Sequence, residues 1–173
     1  MRIHRSAQSD VGMFRDFWES AISYQQTRNF PLWPSYPEAK ISEEIASGLH
    51  FSAYFSDGDL AGYFSVALSD AQIWREREQG NAIYIHRMCA NPRRKGSNLA
   101  SSVLAWAYQH AFHSGRKFVR MDTWSDNKPL VEYYIKCGFH YIGVQQLGVV
   151  PELPSHYSNT SLALFENLAA GAR

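Results

Sequence analysis

Cysteine is scarce in this sequence, and its two cysteines do not form a motif. Cys89 and Cys137 are far apart and show no Cys-x-x-Cys spacing. This usage excludes a small fold held together by disulfide bonds and is typical of proteins of a reducing cytoplasm. The seven histidines include no His-Glu-x-x-His motif, so we expect no metal.

Long apolar runs and an excess of one charge are also missing. No apolar run reaches the length of a bilayer span, and the first ten residues, MRIHRSAQSD, have no apolar core typical of a signal peptide. The formal net charge is +1. We therefore expect a cytoplasmic protein without a membrane or nucleic-acid partner.

The composition is that of an ordinary globular protein. The chain has 173 residues, of which 45% are hydrophobic and 19% are charged. This length suffices to bury a substantial core, and no repeat or linker divides it. We predict a single domain over residues 1–173.

Hydrophobic periodicity and turn residues predict the element order β-α-α-β-β-β-α-β-α-β-β, which indicates an α/β sheet of mixed strand direction. The polar segment Asp70–Gly80 is predicted to be an exposed connection, and the tail from Glu166 is expected to fray. The predicted strands are 2–5, 51–55, 60–68, 82–90, 118–124, 139–144 and 160–165, and the predicted helices are 11–28, 38–48, 99–113 and 129–136.

The segment NPRRKGSNLASSVL at 91–104 reads as a strand end, a proline, a basic loop and the start of a helix. Small residues such as Gly96 and Ser97 allow a ligand to approach the backbone, and a helix N-terminus attracts anions. The pattern indicates a site for a phosphorylated ligand. A solvated basic turn before a helix explains the same residues.

With the helix that follows it, this loop resembles the acyl-CoA-binding motif of the GNAT superfamily of N-acetyltransferases. Lys95 takes the place of the motif's arginine, Gly96 that of its first glycine, Asn98 that of the second, and Ala100 that of the final glycine or alanine. Lysine keeps the charge but lacks the fork geometry of arginine. Asparagine tolerates unusual φ angles better than most residues.

A second segment, DTWSDNKPLVEYYIKCGF at 122–139, resembles the strand–loop–helix segment of the same superfamily. Asn127, Tyr134, Gly138 and Phe139 match its asparagine and its Tyr-x-x-x-Gly-Phe ending. Both motifs occur in the family's order, with room for one helix and one strand between them. This coincidence is much less probable than either motif alone.

The resemblance implies a GNAT fold, with a mixed central sheet of six to seven strands, flanked by about four helices and splayed between the fourth and fifth strands. It also implies transfer of an acetyl group from acetyl-CoA to a primary amine of a small molecule or peptide. A non-catalytic acyl-CoA-binding sensor is the alternative, and a longer acyl group is a third hypothesis. GNAT proteins are often homodimers.

The resemblance also assigns roles to residues. Tyr134 matches the tyrosine that protonates the departing thiolate in many members, and Asn127 would cap its helix and bond the CoA arm. The other cofactor-binding residues implied are Met88, Cys89, Ala90, Lys95, Gly96, Ser97, Asn98, Leu99 and Ala100.

The general base is less clearly marked. His86 stands where many members carry a glutamate, and a histidine titrates near neutral pH. A structural histidine is equally typical of a strand. Tyr84 on the same strand face and Asp122 on the next strand are alternatives, and some members use no dedicated base.

Aromatic residues are concentrated in the first third of the chain, the region that walls the acceptor site in this superfamily. An aromatic wall suits an apolar or cationic acceptor. Trp18 fits a core position better. Trp33 and Tyr36, in a proline-rich loop, are the predicted substrate-binding residues together with Tyr84.

Overall fold

The structure, a computed structural model, describes residues 1–94, 96–151, 153 and 155–169. The chain divides into two compact units, Met1–Val66 with His86–Ser102 and Ala67–Ile85 with Val103–Arg173. The single domain expected from the chain length stays a prediction. In the described part of the chain, no helix is long and apolar enough to cross a membrane.

The element order agrees with the order expected from the sequence. One short helix, α3, is added between the third and fourth strands. The strands are β1 Arg2–Arg5, β2 His50–Tyr54, β3 Leu60–Ala67, β4 Ala82–Ala90, β5 Phe118–Trp124, β6 Tyr141–Gln146 and β7 Ser161–Leu168. The α-helices are α1 Val11–Thr27, α2 Glu38–Ala46, α3 Ala71–Trp74, α4 Leu99–His113 and α5 Lys128–Lys136.

The strands form a seven-stranded mixed sheet in the order β1-β2-β3-β4-β5-β7-β6. β4 and β5 are parallel, whereas β1–β2, β2–β3, β5–β7 and β6–β7 are antiparallel. The parallel register joins Ala82–Ile85 to Phe118–Met121, and β4 continues to Ala90. The mixed sheet of the expected fold is thus confirmed.

The first unit has its core between the two N-terminal helices and the hairpin of β2 and β3. Phe14 and Ile41 are fully buried there, because the apolar side chains of α1 and α2 recur at helical spacing. The buried cluster comprises Val11, Phe14, Trp18, Tyr36, Ile41, Ile45, Leu60, Tyr63 and Cys89.

The second unit has its own buried cluster, and it corrects one prediction. The expected exposed connection Asp70–Gly80 contains the helix α3, in which Ile73 is 2% exposed and Trp74 is 1% exposed. The sequence pattern did not predict their burial, because charged residues surround them in the segment. The cluster comprises Ile73, Trp74, Ala82, Tyr84, Leu147, Leu162 and Leu164.

The C-terminal boundary also differs from the prediction. β7 continues to Leu168, so Glu166 and Asn167 lie inside a strand and not in a frayed tail. Their partners explain this, because Glu166 pairs with Arg120 in β5 and Asn167 with Val119. Both cysteines are free.

Candidate active site

The last residues of β4 follow an irregularity in the strand. Arg87 has φ 50°, in the left-handed region that residues with a Cβ rarely adopt. Cys89 is 2% exposed, while Met88 is partly buried and Ala90 is exposed. The unusual φ of Arg87 interrupts the regular strand conformation at one point, and β4 continues as a strand through Met88 to Ala90.

Asn91 fixes the start of the loop that follows β4. Its backbone N–H donates to the carbonyl of Ala61 at 2.9 Å, and its side-chain amide donates to the carbonyl of Leu60 at 2.7 Å. Its side-chain oxygen accepts a bond from the N–H of Arg93 at 2.9 Å. These bonds tie the start of the loop to β3, so the loop leaves β4 in a defined direction.

Two residues of this loop have left-handed backbones, Gly96 with φ 73° and Asn98 with φ 53°. A Cβ on Gly96 would meet nothing within 4 Å, so open space surrounds that position. Left-handed residues turn successive N–H groups toward one side, which is the geometry of an anion-binding nest. Asn98 thus adopts the unusual φ that its residue type tolerates, while its match to the motif's second glycine stays a prediction.

The helix α4 starts directly after this loop. The carbonyl of Asn98 accepts a bond from the N–H of Ser102, and the side chains of Leu99 and Ala100 are buried. The first N–H groups of a helix have no intrahelical partner and attract anions. Ser97 is partly buried, and Lys95 lies outside the described residues.

Gly62 in β3 lies against both the end of β4 and the start of α4. A Cβ at this position would lie 2.4 Å from the carbonyl oxygen of Cys89 and 2.5 Å from a methyl carbon of Leu99. Contacts this short are sterically forbidden, so only glycine allows the end of β4 and the start of α4 to approach β3 this closely.

The charge of Arg94 is compensated by the β2–β3 turn. Its guanidinium binds Asp59 at 2.7 Å and Asp57 at 3.1 Å, and it lies 4.3 Å from the ring centre of Phe55. Although Arg94 belongs to the basic loop, its two carboxylate partners offset its charge.

The second motif forms α5 in the other unit. Asn127 is the N-cap, and its side-chain oxygen accepts a bond from the N–H of Leu130 at 3.3 Å. The predicted capping role is confirmed. Tyr134 follows seven residues later, so the two side chains lie on the same face of the helix, two turns apart.

Tyr134 is 8% exposed and makes edge contacts with Phe139 and Phe165, whose ring centres lie 5.6 Å and 5.9 Å away. Gly138, with φ 99°, ends the helix. Tyr133 is 43% exposed, so the side chains of the two adjacent tyrosines lie on different faces of the helix. The Gly-Phe ending thus holds Tyr134 in a fixed aromatic environment.

His86 is partly buried in β4. Burial, with the neighbouring Arg87 charge as a second cause, lowers the pKa of its imidazole to about 4. The ring is therefore neutral at pH 7, the form that can accept a proton. A group with this pKa is nevertheless a weaker base than an ordinary histidine.

Tyr84 is enclosed in the second unit and is 1% exposed. Its hydroxyl accepts a bond from Arg120 at 2.8 Å, and its side chain also bonds Glu78. Burial raises the pKa of the phenol. These contacts give Tyr84 a structural role in this unit; its predicted substrate role stays a prediction.

Two acidic side chains of the second unit lie close together, with carboxylate oxygens of Asp70 and Asp122 within 4.8 Å of each other. Burial and the charge of Asp70 raise the pKa of Asp122 to about 8. Burial and the charge of Glu78 raise the pKa of Asp70 to about 7. The Asp122 side chain is partly buried, but its Oδ1 atom is fully enclosed.

The aromatic residues of the N-terminal region pack on one another. Trp18, as expected, belongs to the core; it stacks on Trp33 at 4.2 Å and donates to the carbonyl of Pro34. Tyr36 is 5% exposed, and its hydroxyl donates to Glu44 at 2.6 Å. Trp33 is partly buried.

Sequence reasoning missed Gly62, Arg87 and Glu44. A glycine inside a strand is a known signal of close backbone approach, so Gly62 could have been found. Nothing in the local sequence marks Arg87 as left-handed, because arginine rarely adopts that conformation. Its ion pair with Glu44 is a tertiary contact.

The comparisons with known proteins agree with these two motifs. The acetyltransferase (GNAT) family model matches residues 13–139. The N-acetyltransferase YesJ of Bacillus subtilis (strain 168), described as uncharacterized, is 27% identical over 112 residues. This match covers 62% of the chain and 62% of that protein's length.

Solved structures of low sequence identity show the same fold. A GNAT family acetyltransferase from Listeria monocytogenes 4b F2365 has a TM-score of 0.70 at 17% identity, covering 96% of this chain and 94% of its own. The structure of yncA from Salmonella typhimurium, solved with its cofactor acetyl-CoA, has a TM-score of 0.67 at 14% identity, covering 100% and 96%. With most of its length matched by the family model, this chain belongs to the acetyltransferase (GNAT) family.

Proposed function

We propose that this chain transfers an acetyl group from acetyl-CoA to a primary amine of a small molecule or peptide. The observation that supports acetyl-CoA binding is the pair of left-handed residues, Gly96 and Asn98, directly before α4. Their amides and the helix N-terminus suit a diphosphate. The acetyl-CoA in the Salmonella relative supports the same ligand class.

In this proposal the backbone of Met88, Cys89 and Ala90 pairs with the pantetheine arm and holds the thioester carbonyl. The amine nitrogen forms a bond to the carbonyl carbon, and the carbon–sulfur bond then breaks. A main-chain N–H directed at the developing oxyanion contributes about 3–4 kcal/mol in comparable enzymes. Tyr134 gives its proton to the departing thiolate.

The amine must lose a proton to a base. Among the candidate bases, the structure lowers the pKa of His86 to about 4 and raises that of Asp122 to about 8. Burial raises the pKa of Tyr84, so this phenol stays protonated at neutral pH. The ionised Asp122 is the stronger base, since affinity for a proton rises with pKa. The neutral His86 has the advantage of being available at every pH above about 5. A pH–rate profile of His86→Gln and Asp122→Asn separates them.

The acceptor region is assigned to Trp33 and Tyr36, as the family resemblance implies. Trp33 is the more exposed of the two, and its stacking on Trp18 gives a rigid aromatic surface. Such a surface suits a cationic or apolar acceptor. We expect Trp33→Ala to raise KM for the acceptor with little effect on coenzyme A binding.

The test of the proposed function is Tyr134→Phe, compared with Tyr133→Phe as the matched control. Thiol release from acetyl-CoA is measured across an amine panel, and coenzyme A binding is measured by calorimetry. We expect kcat to fall about 100-fold in Tyr134→Phe, because a general acid is lost, with binding retained. Tyr133→Phe should keep its activity.

The result also decides between an enzyme and a sensor. If the wild type binds coenzyme A but no amine in the panel supports turnover, the non-catalytic sensor replaces the enzyme. If the wild type binds no coenzyme A, both functions are wrong.

A further inference from the structure

Arg87 is the only residue of β4 with a left-handed backbone, and its side chain is held by several contacts. The strand is regular before it, with Ala82–Ile85 buried and paired to β5. At Arg87 φ becomes 50°. An L-residue in this region brings its Cβ against the following carbonyl oxygen, so the conformation persists only where surrounding contacts determine it.

Three contacts hold the Arg87 side chain. Its Nη1 atom lies 2.9 Å from Glu44 Oε1 in α2 and 3.4 Å from Ser65 Oγ in β3. Its guanidinium carbon lies 5.1 Å from the ring centre of Tyr36. The contacts come from three separate elements, so the guanidinium has little freedom to follow a regular strand.

Glu44 is fixed from its other side. Its Oε2 atom accepts a bond from the Tyr36 hydroxyl at 2.6 Å, while its Oε1 atom faces Arg87. The Glu44 side chain is 14% exposed, and Tyr36 is 5% exposed. A carboxylate with both oxygens engaged and little water around it is a rigid partner for the arginine.

Stability alone does not explain this arrangement. The Arg87 side chain is 36% exposed, and ion pairs with this much solvent contact contribute little to folding. The left-handed backbone acts against folding. An unfavourable conformation that is maintained by a dedicated set of contacts points to a functional requirement at that position.

The residues that directly follow are Met88 and Cys89, whose backbone holds the thioester in the proposed function. We propose that Arg87 is a positioning residue: its ion pair with Glu44 keeps the left-handed turn of β4, and this turn directs the main-chain amides of Met88 and Cys89 toward acyl-CoA. The inference rests on the proposed acetyl-CoA site, which it deepens, and assigns Glu44 and Tyr36 to the support of that site.

The first experiment uses Arg87→Gly, with Arg75→Gly as the matched control. Arg75 is also an arginine with a positive φ, 46°, but it lies at the end of α3. Glycine removes the same backbone penalty in both variants. We expect Arg87→Gly to weaken coenzyme A binding at least about fivefold in calorimetry. Glycine adopts positive and negative φ about equally, so without the ion pair to Glu44 the following amides are no longer held in one direction. Arg75→Gly should bind as the wild type does.

Melting temperature separates positioning from structure. A purely structural arginine would lower the melting temperature of Arg87→Gly together with its affinity. The positioning role predicts lower affinity in a protein that melts no earlier than the wild type by more than about 2 °C, because glycine relieves the left-handed conformation.

The second experiment changes the partner. Glu44→Gln removes the ion pair, and Glu43→Gln, its exposed neighbour in α2, is the matched control. Glu44→Gln should weaken coenzyme A binding in the same direction as Arg87→Gly. In ¹H–¹⁵N spectra of the free protein, it should shift the amide signals of Met88 and Cys89 more than Glu43→Gln does.

The outcomes are distinct. Coenzyme A affinities within about twofold of the wild type in both Arg87→Gly and Glu44→Gln overturn the positioning role and leave the proposed function standing. Unmoved Met88 and Cys89 amides in Glu44→Gln overturn it as well. A wild type that binds no coenzyme A overturns the positioning role together with the proposed function.

Discussion

Each of the two units contains an arginine among acidic and aromatic side chains, and the two arginines differ in kind. Arg120 in β5 is 4% exposed; it binds Glu166 at 2.7 Å and donates to the Tyr84 hydroxyl at 2.8 Å. Arg87 in β4 is 36% exposed and has a left-handed backbone. Arg120 lies within the regular register of β5 with β7.

The difference shows two roles that an arginine side chain can have. Arg120 also lies 4.8 Å from the ring centre of Trp74 and donates to the carbonyl of Arg77, so its contacts join β5 to the segment around α3. Loss of such contacts affects the folded state as a whole. The contacts of Arg87 instead determine the conformation of one peptide segment.

The largest effect should come from Arg120→Met, which keeps much of the side-chain volume but removes the charge. Glu166 and the Tyr84 hydroxyl would lose their partner in a mostly dry environment, so we expect a loss of about 3–5 kcal/mol in the free energy of unfolding. Urea denaturation measures it. Arg87→Met is the matched comparison and should lose only about 1 kcal/mol. Equal losses would contradict the distinction between the two arginines.

An intermediate effect should come from Asp122→Asn and should depend on pH. Burial raises the pKa of Asp122 from 3.8 to about 8, so the folded state binds this proton more tightly than the unfolded state. Its contribution to stability is therefore full below pH 4 and is lost as pH rises through 8. At pH 9 the variant should be more stable than the wild type by about 1–3 kcal/mol. Each pKa unit corresponds to about 1.4 kcal/mol, and contact of the partly buried side chain with solvent reduces the full value.

At pH 5 the difference should be only about a third of that at pH 9, because pH 5 lies only slightly above the unfolded-state pKa of 3.8. Denaturant midpoints at pH 5 and pH 9 test this. The exposed Asp126→Asn is the control and should change stability by no more than about 0.5 kcal/mol at either pH. If Asp122→Asn raises the free energy of unfolding equally at both pH values, the pKa of Asp122 is not raised by burial in the second unit.

The smallest effect should come from Asn98, a left-handed residue in the loop before α4. Its residue type tolerates the conformation, whereas Arg87 depends on its contacts. Asn98→Gly should change the melting temperature by less than about 2 °C, and Asn98→Ala should lower stability by about 1 kcal/mol. If Asn98→Gly weakens coenzyme A binding strongly, the asparagine side chain itself takes part in the site.

Much of the candidate site could be predicted where local sequence carries the physical signal. The bounds of β4 and α4 follow from periodicity, the left-handed loop from Gly96 and Asn98, and the cap of α5 from Asn127 before a proline. Each of these features depends on residues within one turn or one strand. The helix α3 escaped prediction because Ile73 and Trp74 are two apolar residues in a charged segment.

The sequence by itself determined the order of the seven strands and the four longer helices, the two motifs and the family to which they belong, because these follow from residue type and spacing along the chain. Tertiary structure alone decided which partners the polar side chains of the two units contact. Arg87 meets Ser65 over a separation of 22 residues, and Arg120 meets Tyr84 over 36. Contacts of this range form only when strands and helices pack, so no local pattern specifies the left-handed turn of β4 or the dry environment of Asp122.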